Sequence, residues 1–210
     1  MPKRFAPLVP LACAFILAGC ATSPAQQPEP PVPPLESLTA QVEAFEQQIE
    51  QRFAELEARQ LEELAAGILQ RGQQLVGTPY RYGGASVNSG FDCSGFIGYL
   101  FREEAGIKLP RSTRQMIDLQ APKVAKAELQ PGDIVFFSTR GRGQVSHAGI
   151  YIGEQRFIHS ASRRSGVRVD SLNSRYWKSR YLQAKRVLTP DNLPPLTLAQ
   201  LADSGKDSAQ

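Results

Sequence analysis

The chain has 210 residues, of which 41% are hydrophobic and 21% charged, and its formal net charge is +4. This composition allows one core of ordinary domain size, together with appendages. The 17 Gly and 16 Pro are too few and too aperiodic for collagen, and the aliphatic content excludes a wholly disordered chain.

The first twenty residues have the pattern of an export signal. Lys3 and Arg4 precede an apolar run at 8–18, which is about half the length that a membrane-spanning helix needs. The run ends in Leu-Ala-Gly-Cys at 17–20, which resembles the lipobox of bacterial lipoproteins, where the cysteine is acylated and becomes the mature N-terminus. We predict a signal peptide over 1–19 and lipid attachment at Cys20. The alternative is an ordinary secretory signal with a cysteine near its cleavage site.

Residues 20–34 are predicted to be a lipidated, Pro-rich tether. Six prolines follow Cys20 with almost no large apolar side chain, which is typical of an extended chain. Ala21 rather than Asp follows the cysteine, and this resembles the outer-membrane lipoproteins of enterobacteria. We therefore expect the protein to lie at the periplasmic face of the outer membrane, anchored in that membrane by the lipid on Cys20.

An acidic amphipathic helix is predicted over 35–63. Apolar residues recur there mostly every three or four positions, and the segment has eight Glu against Arg52 and Arg59. The apolar stripe of this helix either packs on the following domain or serves as a short coiled coil or docking surface for another envelope protein. Both interpretations fit the pattern.

The segment 64–188 is predicted to be the main folded domain. It has nineteen Lys and Arg against eight Asp and Glu, which suits a polyanionic partner such as nucleic acid, anionic lipid or the carboxylate-rich cell wall. An exported lipoprotein seldom meets nucleic acid, so we expect the wall as partner and no nucleic acid. Residues 189–210 are rich in Pro, Asp and Ser and are predicted to be a flexible tail.

Helices precede strands in this domain, which predicts a segregated α+β fold rather than alternating βαβ units. The strands are expected to form an antiparallel meander with turns at Gly153-Glu154 and Ser165-Gly166. The patterns place helices at about 61–76, 93–105 and 112–119, and strands at 133–138, 147–152, 156–160, 167–171 and 184–188.

Cys93 is the cysteine that has no partner. Cys13 leaves with the signal peptide and Cys20 carries lipid, so no internal disulfide is expected. Cys93 begins an apolar-periodic helix after a Gly-containing loop, and the N-terminus of a helix stabilises a reactive thiolate. Asp92 or Ser94 is expected to cap the same turn. The alternative is a buried structural cysteine.

The chain has two histidines, and each lies at the end of a predicted strand. A tight turn between His147 and His159 would bring the two imidazoles side by side in a hairpin. With Cys93 as nucleophile, His147 as base and His159 as orienting group, the set matches the general logic of a catalytic triad. The same three residues are also sufficient ligands for a catalytic zinc ion, although each is isolated in the sequence.

Three motifs make the sequence recognisable. Asp-Cys-Ser-Gly-Phe at 92–96, Ser-His-Ala-Gly-Ile-Tyr at 146–151 and Phe-Ile-His at 157–159 resemble the motifs of the NlpC-type cell-wall peptidases, which are papain-like cysteine hydrolases. The resemblance extends over about 69–188 and is strongest to the lipoprotein branch of the family. It implies N-terminal helices packed on a five- to six-stranded antiparallel sheet, with no metal or other cofactor. The extra amphipathic helix predicted over 35–63 lies outside the resemblance.

The resemblance also implies roles for single residues. Cys93 attacks a peptide carbonyl, His147 carries the proton and His159 holds His147 in place. Tyr80 occupies the position of a family tyrosine that lines the site and helps to polarise the substrate carbonyl. The neighbours of the cysteine that match stem-peptide contacts in some relatives are Asp92 and Ser94.

The activity implied by the resemblance is hydrolysis of amide bonds in peptidoglycan stem peptides. We predict a lipid-anchored endopeptidase that cuts the D-alanyl to diaminopimelate crosslink, with the γ-D-glutamyl to diaminopimelate bond as the alternative. Basic residues would complement the carboxylates of such stems, and the candidates are Arg111, Arg114, Arg163 and Arg164.

Two further hypotheses remain open. The protein could be a noncatalytic wall-binding scaffold whose acidic helix recruits partners. The same fold also supports acyl transfer, because an acyl-thioester does not require water as its acceptor.

Overall fold

The structure is a computed structural model of the chain, and it describes residues 34–141 and 143–195. The predictions for the signal peptide, for lipid attachment at Cys20 and for most of the tether lie outside the described residues, as does the tail beyond residue 195. In chain order the elements are α1 (Leu35–Gln74), β1 (Ala85–Ser86), β2 (Gly90–Phe91), α2 (Cys93–Ala105), α3 (Thr113–Ile117), β3 (Lys123–Val124), β4 (Ile134–Phe137), β5 (His147–Gly153), β6 (Arg156–Ser162), β7 (Gly166–Ser171), α4 (Arg175–Lys178) and β8 (Tyr181–Lys185).

Helix α1 is continuous where the sequence suggested two overlapping helices at 35–63 and 61–76. No Gly or Pro interrupts the chain between Leu35 and Ala66, so the two patterns merge into one helix. No helix in the described ranges is both long enough and apolar enough to cross a lipid bilayer.

The chain divides into two compact units, residues 1–43 and residues 44–210. In the first unit, the described residues are the start of α1, and Leu35 there is 78% exposed. In the second unit, Phe45 and Phe53 of α1 are exposed, whereas Ile68 is fully buried. The partner protein expected for the apolar stripe at 35–63 stays a prediction.

The main sheet has six antiparallel strands in the order β3-β8-β4-β5-β6-β7. Strands β4 to β7 form the expected meander, and β8 inserts between β3 and β4. A separate two-stranded sheet of β1 and β2 lies just before α2. The predicted α+β fold with a five- to six-stranded antiparallel sheet is therefore confirmed.

Two apolar clusters cover the two faces of this sheet. Ile134 and Phe136 of β4 belong to one cluster, together with α2, and we call this the helix-side core. Val135 and Phe137 belong to the other, together with Trp177, and we call this the tryptophan-side core. The division follows from the alternation of side chains along a strand.

Strand β8 begins earlier than the sequence predicted. The expected strand covered 184–188, whereas the observed strand is Tyr181–Lys185. Val187 and Leu188, which suggested the later position, are buried in the helix-side core after the strand has ended. Burial alone therefore did not indicate whether these two residues pair in the sheet.

Candidate active site

Cys93 is the first residue of α2, as predicted, and it is a free cysteine within the part of the chain that the structure describes. Asp92 is the N-cap of the helix, and its Oδ1 accepts a hydrogen bond of 2.7 Å from the Gly95 backbone N–H. This bond satisfies one of the amide donors that a helix leaves free at its first turn. The cap therefore fixes the direction of the helix that carries the thiol.

The Asp92 carboxylate also forms the centre of a polar network. Arg111 donates to Asp92 Oδ1 at 3.0 Å and to Oδ2 at 2.8 Å, and the Gly83 backbone N–H donates to Oδ2 at 2.9 Å. Burial alone would raise the pKa of Asp92, but hydrogen bonds from Arg111, Gly95 and Gly83 and the charge of Arg111 lower it below its usual value. Asp92 is therefore ionised and fully engaged within the protein.

Ser94 is part of the same network. Its hydroxyl donates to Asp92 Oδ1 at 3.1 Å and accepts from Arg111 at 2.9 Å, and the residue is buried. The predicted contacts of Asp92 and Ser94 with substrate stay predictions, because both residues line the cleft but have partners inside the protein.

Close packing holds the Cys93 loop against the preceding chain. The Asp92 backbone N–H donates to the Gly84 carbonyl at 3.0 Å, and a Cβ added at Gly95 would lie only 2.0 Å from that same oxygen. Glycine is required at position 95 for this reason, which explains the Gly that follows Cys-Ser in the first motif.

A tight hairpin brings the two histidines together. Its turn consists of Glu154 and Gln155, whose positive φ values of 51° and 56° are those of a type I′ turn. Ile150 pairs with Ile158, so continuing this register places His147 and His159 on one face, diagonal to each other. The twelve-residue separation predicted this contact.

The imidazoles form a direct hydrogen bond. His147 Nε2 lies 2.6 Å from His159 Nδ1, and His159 Nε2 lies 3.0 Å from Asp170 Oδ2. Trp177 donates its indole N–H to the same Asp170 oxygen at 2.9 Å. The result is a continuous chain from Asp170 through His159 to His147.

Trp177 also covers this chain with its ring. The indole stacks on His147 with a centroid distance of 5.4 Å and an angle of 26°, and it meets His159 edge-on at 5.1 Å. His159 is fully buried, and His147 is 6% exposed. Both imidazoles are thus largely shielded from water.

Burial keeps the imidazoles neutral. It lowers the pKa of His147 to about 3, with a further contribution from the charge of His159 and opposition from Asp170. Burial likewise lowers the pKa of His159, against the opposing hydrogen bond of Asp170. Asp170 itself is ionised, because hydrogen bonds from His159, Arg168 and Trp177 outweigh its burial and lower its pKa to about 2.

The proton positions follow from these states. Ionised Asp170 can only accept, so His159 Nε2 carries a proton and donates it to that carboxylate. Neutral His159 then has a lone pair on Nδ1, which accepts from the Nε2–H of His147. The remaining nitrogen of His147, Nδ1, is left unprotonated and available as a base.

The Cys93 thiol lies where α2 meets the start of β5. The backbone N–H groups of Ala148, Ser94 and Cys93 interact with its sulfur and lower its pKa, but burial and the charge of Asp92 raise it more. The pKa of the Cys93 thiol is therefore raised. The helix N-terminus alone predicted a thiolate, and this prediction is wrong for the resting site. Ala148 follows His147 in β5, so its backbone N–H brings the strand that carries His147 into contact with the Cys93 sulfur.

Tyr80 lines the same cleft, which has a volume of about 820 Å³. Burial raises the pKa of the Tyr80 hydroxyl, as do the neighbouring Cys93 and Asp92, whereas the charge of Arg140 opposes the rise. The hydroxyl is thus a neutral donor beside the sulfur, as the predicted role in polarising a carbonyl requires.

The sequence did not identify Asp170 or Trp177 as part of the site. It indicated Arg111 as a candidate for substrate binding but not as the partner of Asp92. The cross-strand register contained a signal for Asp170, because His159 pairs with Arg168 and the next residue on the same face is 170. The ion pair between Arg111 and Asp92 joins residues nineteen positions apart, so no local sequence pattern predicted it.

The zinc alternative finds no support in the geometry. The two histidine rings bond directly to each other through His147 Nε2 and His159 Nδ1 at 2.6 Å, which leaves no room for an ion between those nitrogens. Within residues 34–141 and 143–195, no group of three His, Cys, Asp or Glu side chains is arranged to hold a metal ion.

A cysteine at a helix N-terminus, whose sulfur meets the backbone N–H of the residue after His147, together with a histidine pair on an antiparallel sheet, is the arrangement expected of a papain-like cysteine hydrolase. The NlpC/P60 family model matches residues 77–186, which is more than half of the chain. The chain belongs to the NlpC/P60 family, which confirms the resemblance inferred from the motifs.

Individual relatives agree with this assignment. Murein DD-endopeptidase MepS/Murein LD-carboxypeptidase from Escherichia coli K12 is 36% identical over 85% of this chain and 90% of its own length. Murein DD-endopeptidase MepH from the same organism is 41% identical over 57% of this chain, and gamma-DL-glutamyl hydrolase from Bacillus subtilis is 42% identical over 60%. The chain spans only 45% and 29% of the length of these last two relatives.

A solved structure supports the fold. A crystal structure of an NlpC/P60 family protein from Bacillus cereus is 34% identical and has a TM-score of 0.56, covering 60% of this chain and 40% of the other. The predicted papain-like fold is thus confirmed. The chain is a cysteine-type peptidoglycan hydrolase, an endopeptidase of the NlpC/P60 type.

Proposed function

We propose that this protein is a lipid-anchored endopeptidase that hydrolyses the D-alanyl to diaminopimelate crosslink of peptidoglycan, with Cys93 as nucleophile. The observation that carries the proposal is the chain from Asp170 through His159 to His147, which leaves an unprotonated nitrogen on the base. MepS, which matches along most of both chains, supports the choice of the crosslink, because its name describes a DD-endopeptidase.

In the proposed reaction, the thiol and the imidazole are both neutral at rest. The Cys93 proton passes to His147 Nδ1 as the sulfur attacks the substrate carbonyl, so the base acts during the attack rather than through a preformed ion pair. The raised pKa of Cys93 and the lowered pKa of His147 support this order. His159 and Asp170 stabilise the imidazolium that forms.

The tetrahedral intermediate would place an oxyanion near the start of α2. The backbone N–H groups at the helix N-terminus and the neutral hydroxyl of Tyr80 are donors suited to it. Collapse of the intermediate breaks the carbon–nitrogen bond, and the leaving amine takes the proton from His147. Water then hydrolyses the Cys93 thioester, which releases the new carboxylate and restores the thiol.

Digestion of purified sacculi tests the bond that is cut. Wild-type protein should convert dimeric muropeptides into intact monomers, and the Cys93→Ala variant should release none above background. Shortened stems in place of intact monomers would favour the alternative γ-D-glutamyl to diaminopimelate bond, which the similarity to gamma-DL-glutamyl hydrolase supports. Equal activity in the Cys93→Ala variant would contradict the nucleophile.

Membrane attachment is proposed through the lipid on Cys20, and the support is the lipobox-like ending at 17–20. Cells given labelled palmitate should label the wild-type protein but not a Cys20→Ser variant, and the wild type should fractionate with the outer membrane. Labelling of both proteins, or of neither, would contradict the anchor.

A further inference from the structure

The catalytic cleft contains more positive charge than its acidic lining can balance. Among the residues that the structure describes, three arginines line it, Arg111, Arg114 and Arg140, against the single carboxylate of Asp92. Arg111 is already engaged, because both of its terminal nitrogens bond to Asp92. The surplus therefore resides on Arg114 and Arg140.

The guanidinium groups of these two arginines are open to substrate. Both residues are exposed, and neither side chain has a hydrogen-bond or ion-pair partner in the described part of the chain. The other candidates from the sequence, Arg163 and Arg164, lie in the turn between β6 and β7 and do not line the cleft.

Arg140 is held close to the catalytic residues. The Ser146 hydroxyl accepts from the Thr139 backbone N–H at 2.8 Å and from the Arg140 backbone N–H at 3.3 Å, and Ser146 immediately precedes His147. The positive charge of Arg140 also acts on the Tyr80 hydroxyl, which neighbours Cys93. The backbone of Arg140 is thus anchored beside the start of β5, and the guanidinium is close enough to the Tyr80 hydroxyl to influence it.

Arg114 lies where two cavities meet. It projects from α3 into the catalytic cleft and also lines an adjoining cavity of about 330 Å³, together with Gln144, Val145 and Asp118. Substrate that extends from the sulfur along the cleft can therefore meet both arginines. An unpaired arginine beside a cleft is well suited to a carboxylate, which its planar fork can bind through two hydrogen bonds.

We propose that Arg140 and Arg114 form a carboxylate subsite, in which Arg140 binds the substrate carboxylate next to the scissile amide and Arg114 binds a second one. This inference rests on the proposed function. In a D-alanyl to diaminopimelate crosslink, the carbon attached to the scissile nitrogen bears a free carboxylate. In a γ-D-glutamyl to diaminopimelate bond within a longer stem, the corresponding group is an amide.

The subsite therefore makes the enzyme sensitive to the charge of its substrate. A crosslinked peptide dimer with a free diaminopimelate carboxylate should be preferred over the same dimer with that group converted to the carboxamide. The free acid can make a charged hydrogen bond that the carboxamide cannot, so the preference should be about tenfold or more in kcat/KM. In Arg140→Gln the preference should fall to about threefold or less, whereas Arg114→Gln, which removes a contact with a carboxylate present in both dimers, should keep the preference and lower kcat/KM for both dimers.

The experiment compares the free-acid and carboxamide dimers in two assays. The first is kcat/KM for wild type, Arg140→Gln, Arg114→Gln and the matched control Arg163→Gln, which removes the same charge outside the cleft. The second is calorimetric binding of both dimers to the Cys93→Ala protein, alone and combined with either Arg140→Gln or Arg163→Gln. Binding does not depend on which bond the enzyme cuts.

The outcomes separate the subsite from the proposed function. A free-acid preference in binding that Arg140→Gln removes and Arg163→Gln retains would support the subsite, even if the cleaved bond proves to be the alternative one. Equal binding of the two dimers to Cys93→Ala protein would overturn the subsite, even if the crosslink is hydrolysed. A preference lost equally in Arg163→Gln would also overturn it, because net charge alone would then explain the effect.

Discussion

The two halves of the site each contain an aspartate paired with an arginine, and they use the pair differently. On the cysteine side, Asp92 pairs with Arg111 and otherwise binds backbone and hydroxyl groups of the loop and first turn that carry Cys93. On the histidine side, Asp170 pairs with Arg168 and also binds the His159 ring. The Asp92–Arg111 pair holds the backbone that carries Cys93, whereas the Asp170–Arg168 pair helps to set the proton positions on the two histidines.

The difference also appears in the electrostatics of the reacting groups. Asp92 raises the pKa of Cys93, which opposes a resting thiolate, whereas Asp170 favours the charged form of both histidines. Arg111 limits the first effect by neutralising Asp92. Among substitutions that leave the Cys93 nucleophile in place, we therefore expect those on the histidine side to reduce activity most, and those on the cysteine side to alter the pH dependence and the stability.

The largest effect is expected from Asp170→Asn. Arg168 donates to Asp170 Oδ1, whereas His159 and Trp177 share Oδ2, so the single oxygen of an asparagine amide cannot accept from all three donors. The amide also lacks the negative charge that favours the imidazolium, so kcat/KM on a crosslinked muropeptide should fall by about 10²- to 10⁴-fold. The exposed Asp191→Asn is the matched control. A variant within threefold of wild type would refute the assigned proton chain.

Arg111→Gln should shift the reactivity of the thiol. Without the guanidinium, the Asp92 charge beside Cys93 is unbalanced, so the pKa of the thiol should rise and alkylation by iodoacetamide should need a higher pH. Because Arg111 is about half exposed, the loss in unfolding free energy should be modest, at about 1–2 kcal/mol.

Arg111→Lys and Arg163→Gln provide the controls for this prediction. The lysine keeps a charge but not the two-point contact, so its alkylation profile should lie between wild type and Arg111→Gln. Arg163→Gln should match wild type. Identical profiles for all four proteins would show that Arg111 does not influence the thiol.

The buried histidines should make stability depend on pH. The pKa values of His147 and His159 are lowered in the folded state, so below about pH 6.5 the unfolded chain takes up protons that the folded chain does not. Unfolding free energy should therefore fall as the pH decreases from 6.5 towards 4, by up to about 1.4 kcal/mol per pH unit for each histidine. Urea unfolding at pH 7 and pH 5 measures this loss.

His147→Gln is the comparison for the pH effect. The variant lacks one of the two groups, so it should lose less stability between pH 7 and pH 5 than wild type does. Asp170 does not contribute in this window, because its pKa is about 2 in the folded state and 3.8 in the reference state. An unchanged pH dependence in the variant would contradict a neutral, buried His147.

The smallest effect is expected from Ser160→Ala. The buried Ser160 hydroxyl donates to the Phe91 carbonyl at 2.7 Å, and so links β6 of the histidine side to β2, which ends two residues before Cys93. Its loss should cost about 1 kcal/mol of unfolding free energy, measured by urea denaturation. The exposed Ser162→Ala should cost less. Equal losses of unfolding free energy in the two variants would contradict a stabilising hydrogen bond between Ser160 and Phe91.

The sequence predicted those parts of the fold that have local signals. Helix α2 has both ends marked, by Asp92 at its N-cap and by Gly106 in the left-handed conformation at its C-cap, and it was predicted with the observed bounds. The hairpin between β5 and β6 was predicted because its turn and its alternating strands lie within one short segment, although the turn is at Glu154 and Gln155, one residue later than the predicted Gly153-Glu154.

Features that depend on distant contacts were less accessible. The four-residue helix α4 is too short to show a period, and the place of Trp177 against the histidines depends on where that helix packs. The resting state of Cys93 was also mispredicted, because the helix N-terminus is visible in sequence whereas burial of the sulfur is not.

The tautomers of the two histidines test the central claim most directly. The chain has only two histidines, so a nitrogen-15 label on histidine gives two assignable rings in an NMR spectrum of the protein with a histidine-free tag. At pH 7 we expect both rings to be neutral and protonated at Nε2, with an unprotonated Nδ1 on His147. A proton on His147 Nδ1, or a doubly protonated ring, would contradict the account.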